Sequence, residues 1–338
     1  MHSQPIIYYG IESIPTQREK ASGGVVKLQD LQQKYSNNFI DANILYLVSS
    51  ALPIYPKYLI NNARKNKLKL VWNQNGVAYP AWHGPGWEKT NKPLADGLHL
   101  ADHVIFQSLF CKLASDRFLG AFEGPHTILY NPVDTIRFSP SPSKPDGYKI
   151  LIAGTHNEWY RVRVALESFK KFSERFPEAE LIIGGPLRWS ENVSVARSET
   201  EQYCRKLSIE EKVHYLGPYS QEDAVEMFRS AHVLLHMQYN DACPRLVVEA
   251  MACGLPIVFS STGGTPELVG PDAGIGVTSV VDWERIHEPE PEKVAEALFE
   301  IFNDLNRYSK EARKRAVGQF GIKFWIDSHE KIFHSVLT

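Results

Sequence analysis

Cysteine, net charge and long apolar runs are all scarce in this sequence of 338 residues. It has four cysteines, and no histidine stands at ligand spacing beside the closest pair, Cys243 and Cys253. We therefore exclude a disulfide framework and a cysteine-based zinc site. The formal net charge of −2 also argues against a nucleic-acid partner, because nucleic-acid-binding proteins are usually strongly basic.

The lack of long apolar runs bears on membranes and on targeting. One of the longest uncharged stretches, residues 70–87, is interrupted by Asn, Gln, Pro and Gly and could not span a bilayer. The N-terminus has no basic region followed by an apolar core, so no secretion signal is visible. We therefore expect a cytoplasmic protein, with peripheral contact at the inner face of a membrane as a further expectation.

The two halves of the chain carry charges of opposite sign. Residues 1–145 contain 15 Lys and Arg against 10 Asp and Glu, whereas the remainder contains 22 against 29. A basic first half suggests contact with an anionic acceptor or a lipid surface. A chance imbalance among solvated side chains is the alternative.

The length and the segment pattern predict two α/β domains. A typical domain has about 150 residues, and residues 139–147, SPSPSKPDG, form the clearest break in composition. Short apolar segments alternate with helical segments, which favours parallel sheets with right-handed crossovers. We predict Rossmann-like domains over 1–143 and 147–320. The strands are expected at 5–9, 44–48, 68–72, 101–108, 128–134, 149–153, 181–186, 213–216, 233–237 and 255–259.

Residues 234–268 organise the second half, and their pattern reads as strand, turn, helix, strand, glycine loop and helix. Pro244 suits a helix start and Gly254 a helix stop, which predicts a helix over 245–253. Asp241 lies before this helix and Glu249 lies within it. A strand that leads into a helix N-terminus favours anions, because unpaired N–H groups and the helix dipole both attract negative charge.

Asp241 and Glu249 are two acids separated by seven residues, and the run that begins at Glu249 is EAMACGLPIVFSSTGGTPEL. Both features resemble the signature of the retaining glycosyltransferases of family four, which have the GT-B fold. The resemblance implies that Glu249 holds the ribose of a sugar nucleotide and that Asp241 holds hydroxyls of the donor sugar. Helix-start amides, at Arg245, Leu246 and Val247, would face the phosphates. This sequence departs from the family in having Asp rather than Glu at the first acid and in lacking a glycine-rich turn. Alternatively, Asp241 caps the helix and Glu249 is a solvated helix residue.

Several other residues take donor-side roles from the same resemblance. Gly23 and Gly24 stand where the family's first glycine loop approaches the diphosphate, and paired glycines allow a close backbone approach. Gly154 ends a buried strand. Gly264 lies in the second glycine turn. Glu267 follows this glycine turn, and we expect it to stabilise the first turn of the helix that begins there.

Arginines follow Gly154 at the start of the next helix. The family carries an Arg and a Lys there that neutralise the diphosphate, and we assign Arg161 to this role, with Arg163 beside it. Arginine suits the role because its planar fork pairs two phosphate oxygens. The alternative for both is a surface helix charge.

The acceptor side is assigned to the first half. Asn75 follows a strand at the edge where open parallel sheets bind ligands, and His83 lies in a long aromatic loop over 77–92. Ser108 is read as the N-cap of the next helix. The basic run at 64–69 is a candidate for lipid headgroups, with a solvated helix end as the alternative. By resemblance, the segment 321–338 packs back on the first domain.

The resemblance implies a retaining glycosyltransferase, and we expect a UDP- or GDP-sugar as donor and a saccharide or lipid-linked acceptor. Asp241 and Arg161 are the predicted catalytic residues. No metal is expected, because no two aspartates stand two apart, which leaves out the metal-binding motif of the other main transferase fold. No cofactor is expected either, because the nucleotide sugar is a substrate. A GT-B epimerase or phosphorylase and a non-catalytic nucleotide or sugar binder are the alternatives.

Overall fold

The structure, a computed structural model, describes residues 4–16, 19, 21 and 23–338. It contains two parallel sheets, each flanked by helices, as the alternation of segments predicted. The first sheet has the order β1-β2-β3-β4-β5. Its strands are β1 (Ile7–Tyr8), β2 (Ile44–Val48), β3 (Lys69–Gln74), β4 (His103–Phe106) and β5 (His126–Ile128). The helices between them are α1 (Gly23–Leu31), α2 (Pro56–Lys65), α3 (Pro80–His83), α4 (Trp87–Leu98) and α5 (Leu109–Phe118).

The second sheet has the order β11-β10-β9-β6-β7-β8. Its strands are β6 (Tyr148–Ile152), β7 (Ala179–Gly184), β8 (Val213–Gly217), β9 (Val233–His236), β10 (Ile257–Ser260) and β11 (Gly274–Val277). Its helices are α6 (Trp159–Arg175), α7 (Val193–Leu207), α8 (Gln221–Arg229), α9 (Arg245–Ala252), α10 (Thr265–Val269), α11 (Pro291–Asn303) and α12 (Leu305–Gln319). Successive connections run outward in opposite directions from the adjacent strands β6 and β9. This pair is therefore the topological switch point, where doubly wound sheets bind ligands.

Two predictions about the first half were wrong. Residues 77–92 are not an open loop, because α3 and the start of α4 lie within them. Gly84 and Gly86 adopt positive φ angles of 73° and 88°, so the glycines form a tight junction between two helices. The predicted strand over 128–134 ends at Ile128, and the chain beyond it lies against the second half, where the Asn131 side chain donates to the Cys243 carbonyl.

Local signals at helix starts were more reliable. Ser108 caps α5 by accepting from the Cys111 amide at 2.8 Å. Ser220 and Asp223 form the predicted capping box at the start of α8. Pro244 occupies the N-cap of α9 rather than its first turn. Strand β11 and the helices α7, α11 and α12 were not predicted.

The last helix, α13 (Ile322–Leu337), packs on the first sheet although it follows the second in sequence. Trp325, Ile332 and Phe333 are buried in the same cluster as the β2 side chains. Within this apolar contact, His329 Nε2 lies 3.0 Å from the Tyr46 hydroxyl and Nδ1 lies 2.9 Å from the Trp325 carbonyl. Burial, with the Lys27 ammonium as a smaller cause, lowers the pKa of His329 to about 3.

The lowered pKa of His329 predicts a pH-dependent stability. An unfolded histidine binds a proton near its ordinary pKa of about 6.5, but the folded side chain does not, so the free energy of unfolding falls as the pH drops below that value. The slope per buried histidine is about 1.4 kcal/mol per pH unit. Urea unfolding between pH 7 and pH 5 measures it. His329→Gln should be less stable at pH 7 and should show a flatter pH dependence, and an unchanged slope would contradict this assignment.

Candidate functional site

A cleft of about 390 Å³ lies between the carboxyl ends of the two sheets. The second half contributes the residues after β6 and β9, the two strands at the switch point. The side chains and backbone that line the cleft from this half include Gly154, Thr155, Arg161, His236, Asp241 and Leu246. The first half contributes Gly76, Tyr79, Trp82, Gln107 and Phe110. The structure therefore brings the predicted catalytic residues Asp241 and Arg161 into one cleft.

Asp241 and His236 face each other in this cleft. The side chain of Asp241 is 29% exposed, and its Oδ1 accepts from the Cys243 amide at 3.3 Å. His236 is 2% exposed, and its Nε2 lies 3.4 Å from Asp241 Oδ2 without the geometry of a hydrogen bond. Neither ring nitrogen of His236 has a hydrogen-bond partner among the residues that the structure describes. The two ring nitrogens of His236 are therefore available to hydrogen-bond a ligand beside Asp241.

Arg161 supplies the cation of the cleft. Its Nη1 donates to the Thr155 carbonyl at 2.7 Å, whereas its buried Nε has no partner within the described part of the chain. Burial lowers the pKa of Arg161, with the carboxylate of Asp241 acting in the opposite direction. An arginine nevertheless stays protonated in a protein. The cleft thus combines a fixed positive charge with one partly exposed carboxylate.

The buried histidines near Arg161 are neutral at neutral pH. Burial lowers the pKa of His236 more than Asp241 raises it. Burial and the Arg161 guanidinium lower the pKa of His156 to about 3, and its Nε2 lies 3.1 Å from the Gly184 carbonyl. A neutral imidazole offers one donor and one acceptor. His236 can therefore accept or donate a hydrogen bond without adding charge.

Glu249 is buried and already engaged. Its Oε1 accepts from Arg245 Nε at 2.9 Å and from Gln221 Nε2 at 3.3 Å. Arg245 also donates through Nη1 to Asp30 of α1 at 2.6 Å. The interpretation of Glu249 as a solvated helix residue is wrong, because the residue is 3% exposed. The guanidinium of Arg245 is used by two carboxylates, so it is not free to bind a phosphate.

The predicted glycine contacts divide into two groups. Gly154 lines the cleft with a φ of 99°, and an added Cβ would lie 2.9 Å from a methyl of Leu246, which also lines the cleft. The Gly264 amide instead donates to the Asp241 carbonyl at 2.7 Å, and an added Cβ would lie 2.1 Å from the Ala242 carbonyl oxygen. The lack of a side chain at Gly264 thus allows its backbone to pack closely against the backbone of Asp241 and Ala242.

The first glycine pair is placed at the start of α1. An added Cβ on Gly24 would lie 2.5 Å from Ser50 Oγ, so this glycine permits tight packing against the β2–α2 connection. A Cβ added to Gly23 would meet no atom of the described residues within 4 Å. Neither glycine lines the cleft described above. Their contact with a donor stays a prediction.

Two further donor-side predictions are not supported by the side-chain positions. Arg163 pairs with Glu167 at 3.0 Å and with Glu288, away from the cleft lining. Val247 is fully buried in the core, and its amide donates to the Pro244 carbonyl at 3.1 Å. The second arginine of α6 points outward because it lies two residues after Arg161, on another face of the helix.

The acceptor-side residues are also engaged elsewhere. Asn75 is buried, with its Oδ1 accepting from Lys27 Nζ at 2.6 Å and its Nδ2 donating to Ser50 Oγ. His83 Nε2 lies 2.8 Å from Thr90 Oγ1. Trp82, the neighbour of His83, lines the cleft instead.

Lys27 was missed at the sequence level. It is buried on α1, and its Nζ donates to three amide oxygens, of Asn73, Asn75 and Gln107, at 2.6 to 2.9 Å. Burial lowers its pKa to about 8. Lys27 and Asp30 stand one helical turn apart, a spacing that places both on one face of α1 and that could have drawn attention to them.

Contacts from the second half hold the helix α5 of the first half. Glu267 accepts from the Leu109 and Phe110 amides at 2.8 and 2.7 Å, and the Ser108 hydroxyl donates to the Ala242 carbonyl at 2.6 Å. Glu267 was expected to stabilise its own helix α10. It caps α5 across the cleft because unpaired amides at a helix start attract a carboxylate from either half.

Within the described residues, no group of three or more His, Cys, Asp or Glu side chains is placed to hold a metal ion. None of the described helices is long and apolar enough to span a bilayer.

His236 was missed in the sequence, although its place at the end of the strand before Asp241 marks it as a residue of the ligand edge.

Comparison with known proteins places these features in a family. The family model described as "Glycosyl transferases group 1" matches residues 134–315, which is more than half of the chain. The phosphatidylinositol N-acetylglucosaminyltransferase gpi3 subunit of Schizosaccharomyces pombe is 23% identical over 74% of this chain and 52% of its own length. A phosphatidylinositol N-acetylglucosaminyltransferase subunit of Homo sapiens is 27% identical over 53% of this chain and 36% of its own length. The chain thus spans about half or less of these relatives.

The fold has solved counterparts. The crystal structure of Anabaena HepE in complex with UDP-glucose superimposes with a TM-score of 0.73 at 17% sequence identity. The match covers 93% of this chain and 90% of that one. Together with the two facing parallel sheets, it confirms the predicted GT-B fold.

The cap on α5 predicts a measurable contribution from Glu267. Glu267→Ala removes the acceptor for two helix-start amides, and we expect the free energy of unfolding to fall by about 1–2 kcal/mol. Urea unfolding at pH 7 measures the change. Glu311→Ala is the control, because Glu311 pairs only on the surface with Lys314 and such pairs contribute little. Equal stability of the Glu267 variant and this control would contradict the cap.

Proposed function

Because the chain belongs to the family of group 1 glycosyl transferases, we propose that it transfers a sugar from a nucleoside-diphosphate sugar to a hydroxyl group of an acceptor. The observation that carries this proposal is the arrangement of Asp241, His236 and Arg161 around one cleft at the switch point of the second sheet. UDP and GDP are the proposed nucleotides, and the comparison with a UDP-glucose complex of similar fold favours UDP.

The donor is proposed to bind against the second half. Arg161 faces the diphosphate, where its unpaired Nε and its charge offset the phosphate charge. The glycine backbone at Gly154 and the side chain of Leu246 form the adjoining wall. We assign the carboxylate of Glu249, which lies on the same helix as Leu246, to the ribose hydroxyls.

Transfer with retention of configuration is part of the proposal. As the glycosidic bond to the diphosphate breaks, negative charge develops on the leaving phosphate, and a preorganised guanidinium stabilises that charge without reorganisation. The departing phosphate oxygen takes the proton from the acceptor hydroxyl, which then bonds to the anomeric carbon on the same face. Asp241 and neutral His236 hold hydroxyls of the sugar ring. No metal is assigned a role in this scheme.

The acceptor is proposed to enter from the first half. Tyr79, Trp82 and Gln107 line that side of the cleft, and aromatic faces with a nearby amide suit a sugar ring. These residues replace Asn75 and His83 in the acceptor assignment. Two relatives are named for a phosphatidylinositol acceptor, which favours a lipid-linked acceptor here among the saccharide and lipid-linked choices.

The first half also carries a surface suited to a membrane. We define the α2–α4 groove, of about 620 Å³, by its apolar side chains and two flanking lysines, which include Ile54, Tyr55, Tyr58, Pro93, Leu100, Lys57 and Lys92. Ile54, Tyr55 and Tyr58 are 86%, 73% and 75% exposed. Exposed aromatic and aliphatic residues beside lysines are typical of helices that lie in the interface of an anionic bilayer.

Charge favours an anionic bilayer as the occupant of this groove. Arg64, Lys65 and Lys67 follow on the exposed end of α2, whereas Asp96 is the one acid among the described groove residues, 3.9 Å from Lys57. Each lysine near an anionic lipid surface contributes about 1 kcal/mol of attraction. We propose that the protein is cytoplasmic and peripheral to the inner face of the membrane, and that lipid-linked acceptors reach the cleft from that surface.

Replacement of the first acid tests the transferase proposal. Asp241→Ala should lower the turnover of a bound donor about 100-fold or more, because one preorganised contact to the sugar is lost. Transfer to acceptor and hydrolysis of donor are measured by product analysis. Asp304→Ala is the matched control, since Asp304 lies on the surface beside Arg307. Unchanged turnover in the Asp241 variant would remove this residue from the site.

Product analysis also separates the alternatives. A GT-B epimerase would convert the donor without an acceptor, and a phosphorylase would require phosphate. A non-catalytic binder would show tight nucleotide binding without transfer or hydrolysis. A thermal-shift screen across nucleoside diphosphates identifies the base before these assays begin.

The membrane contact has its own test. Flotation with phosphatidylcholine vesicles, with or without about 30 mole per cent phosphatidylglycerol, should show binding to the anionic vesicles alone and release by salt. The double variant Tyr55→Ser/Tyr58→Ser should lose binding, whereas Ile136→Ser, which alters an equally exposed side chain outside the groove, should retain it. Retained binding of the tyrosine variant would overturn the proposal, as would self-association of the wild type that the tyrosine variant abolishes.

A further inference from the structure

Asp30, on the first domain, lies in contact with the donor side of the second. Its Oδ2 accepts from Arg245 Nη1 at 2.6 Å, and the same guanidinium donates through Nε to Glu249 Oε1 at 2.9 Å. The side chains of Asp30 and Glu249 are each 4% exposed and that of Arg245 is 13% exposed. One buried guanidinium therefore joins a carboxylate from each domain.

The two carboxylates share this guanidinium through different nitrogens. An arginine beside a single carboxylate commonly pairs with both of its oxygens through two parallel hydrogen bonds. Here Asp30 holds the Nη1 end, and both hydrogen bonds that Glu249 makes within the described residues end on Oε1. With Nη1 held by Asp30, the guanidinium is fixed in an orientation in which Oε1 is the one oxygen of Glu249 that accepts a hydrogen bond from it.

Charge supports the same arrangement. Two buried carboxylates with one guanidinium leave an excess negative charge, and burial raises the pKa of Asp30 while Arg245 lowers it. Lys27, buried one turn earlier on α1, adds a positive charge near Asp30. The helix α1 therefore supplies both an acid and a compensating cation to the buried network.

We propose that Asp30 is a positioning residue for the donor: by restraining Arg245, it keeps one oxygen of Glu249 available to the ribose hydroxyls, so that nucleotide affinity depends on contact between the two domains. This inference rests on the proposed function, because it takes the ribose as the partner of Glu249. Asp30 itself is not placed against the nucleotide.

Nucleotide binding by Asp30→Asn provides the test. Without the charge on Asp30, Arg245 is expected to pair with both oxygens of Glu249, and the affinity for UDP or GDP, whichever binds the wild type, should fall about tenfold or more. Titration calorimetry measures the dissociation constant. Glu330→Gln is the matched control, because it breaks an ion pair with Lys34, just after α1, that stays within the first domain. The control should bind as the wild type does.

A nucleotide without ribose hydroxyls separates positioning from general loosening of the fold. The 2′,3′-dideoxy nucleoside diphosphate cannot contact Glu249 through those hydroxyls, so Asp30→Asn should bind it as well as the wild type does. A merely structural defect would weaken both nucleotides and lower the melting temperature. Equal losses for both nucleotides, or wild-type affinity for the ribonucleotide, would overturn the proposal.

A double-mutant cycle tests the route through Arg245. If Asp30 acts by restraining Arg245, the loss of ribonucleotide affinity in Asp30→Ala/Arg245→Ala should be smaller than the two single losses combined. Additive losses would contradict that route. Failure of the wild type to bind any nucleoside diphosphate would refute the proposed function itself, which distinguishes that result from failure of the Asp30 mechanism alone.

Discussion

The structure depends on one constraint: all strands of a parallel sheet end at the same edge. Two such edges face each other across the cleft, so the residues that follow β3, β4, β6 and β9 come from distant parts of the sequence and meet. In the second sheet the chain turns in opposite directions from β6 and β9, which opens a crevice at their ends. This crevice is lined by four of the site residues, Gly154, Arg161, His236 and Asp241.

Burial then determines what the polar groups near the cleft can do. His236, His156 and His329 have pKa values lowered chiefly by burial, so the imidazoles stay neutral. Carboxylates at the same depth need a charged partner, and Glu249 and Asp30 both pair with Arg245. The combination leaves neutral hydrogen-bonding groups beside Asp241 and adds the fixed cation of Arg161 on the same side of the cleft.

Polar contacts across the cleft connect the two domains, in addition to the apolar contact of Trp283 with Tyr79 and Phe110. Glu267 caps α5, Ser108 donates to the Ala242 backbone, and Arg245 pairs with Asp30. Each contact satisfies a backbone or charged group that would otherwise be left unpaired at a sheet or helix end. Arg245, which the sequence placed on the donor side, and Glu267, which it assigned to its own helix, therefore hold the two halves together.

The sequence by itself determined the fold class, the caps at Ser108 and Ser220 and the residues of the second-half signature, because strand length, capping and glycine turns are local properties. It also identified Asp241, Arg161 and Gly154 as neighbours of a ligand edge. Only the tertiary structure decided that Asn75, Arg163, Arg245 and Gly264 are engaged by other groups, and that His236, Lys27 and Asp30 are buried beside the cleft. A side chain's free or paired state depends on residues far away in sequence, and the chain pattern carries no direct record of those partners.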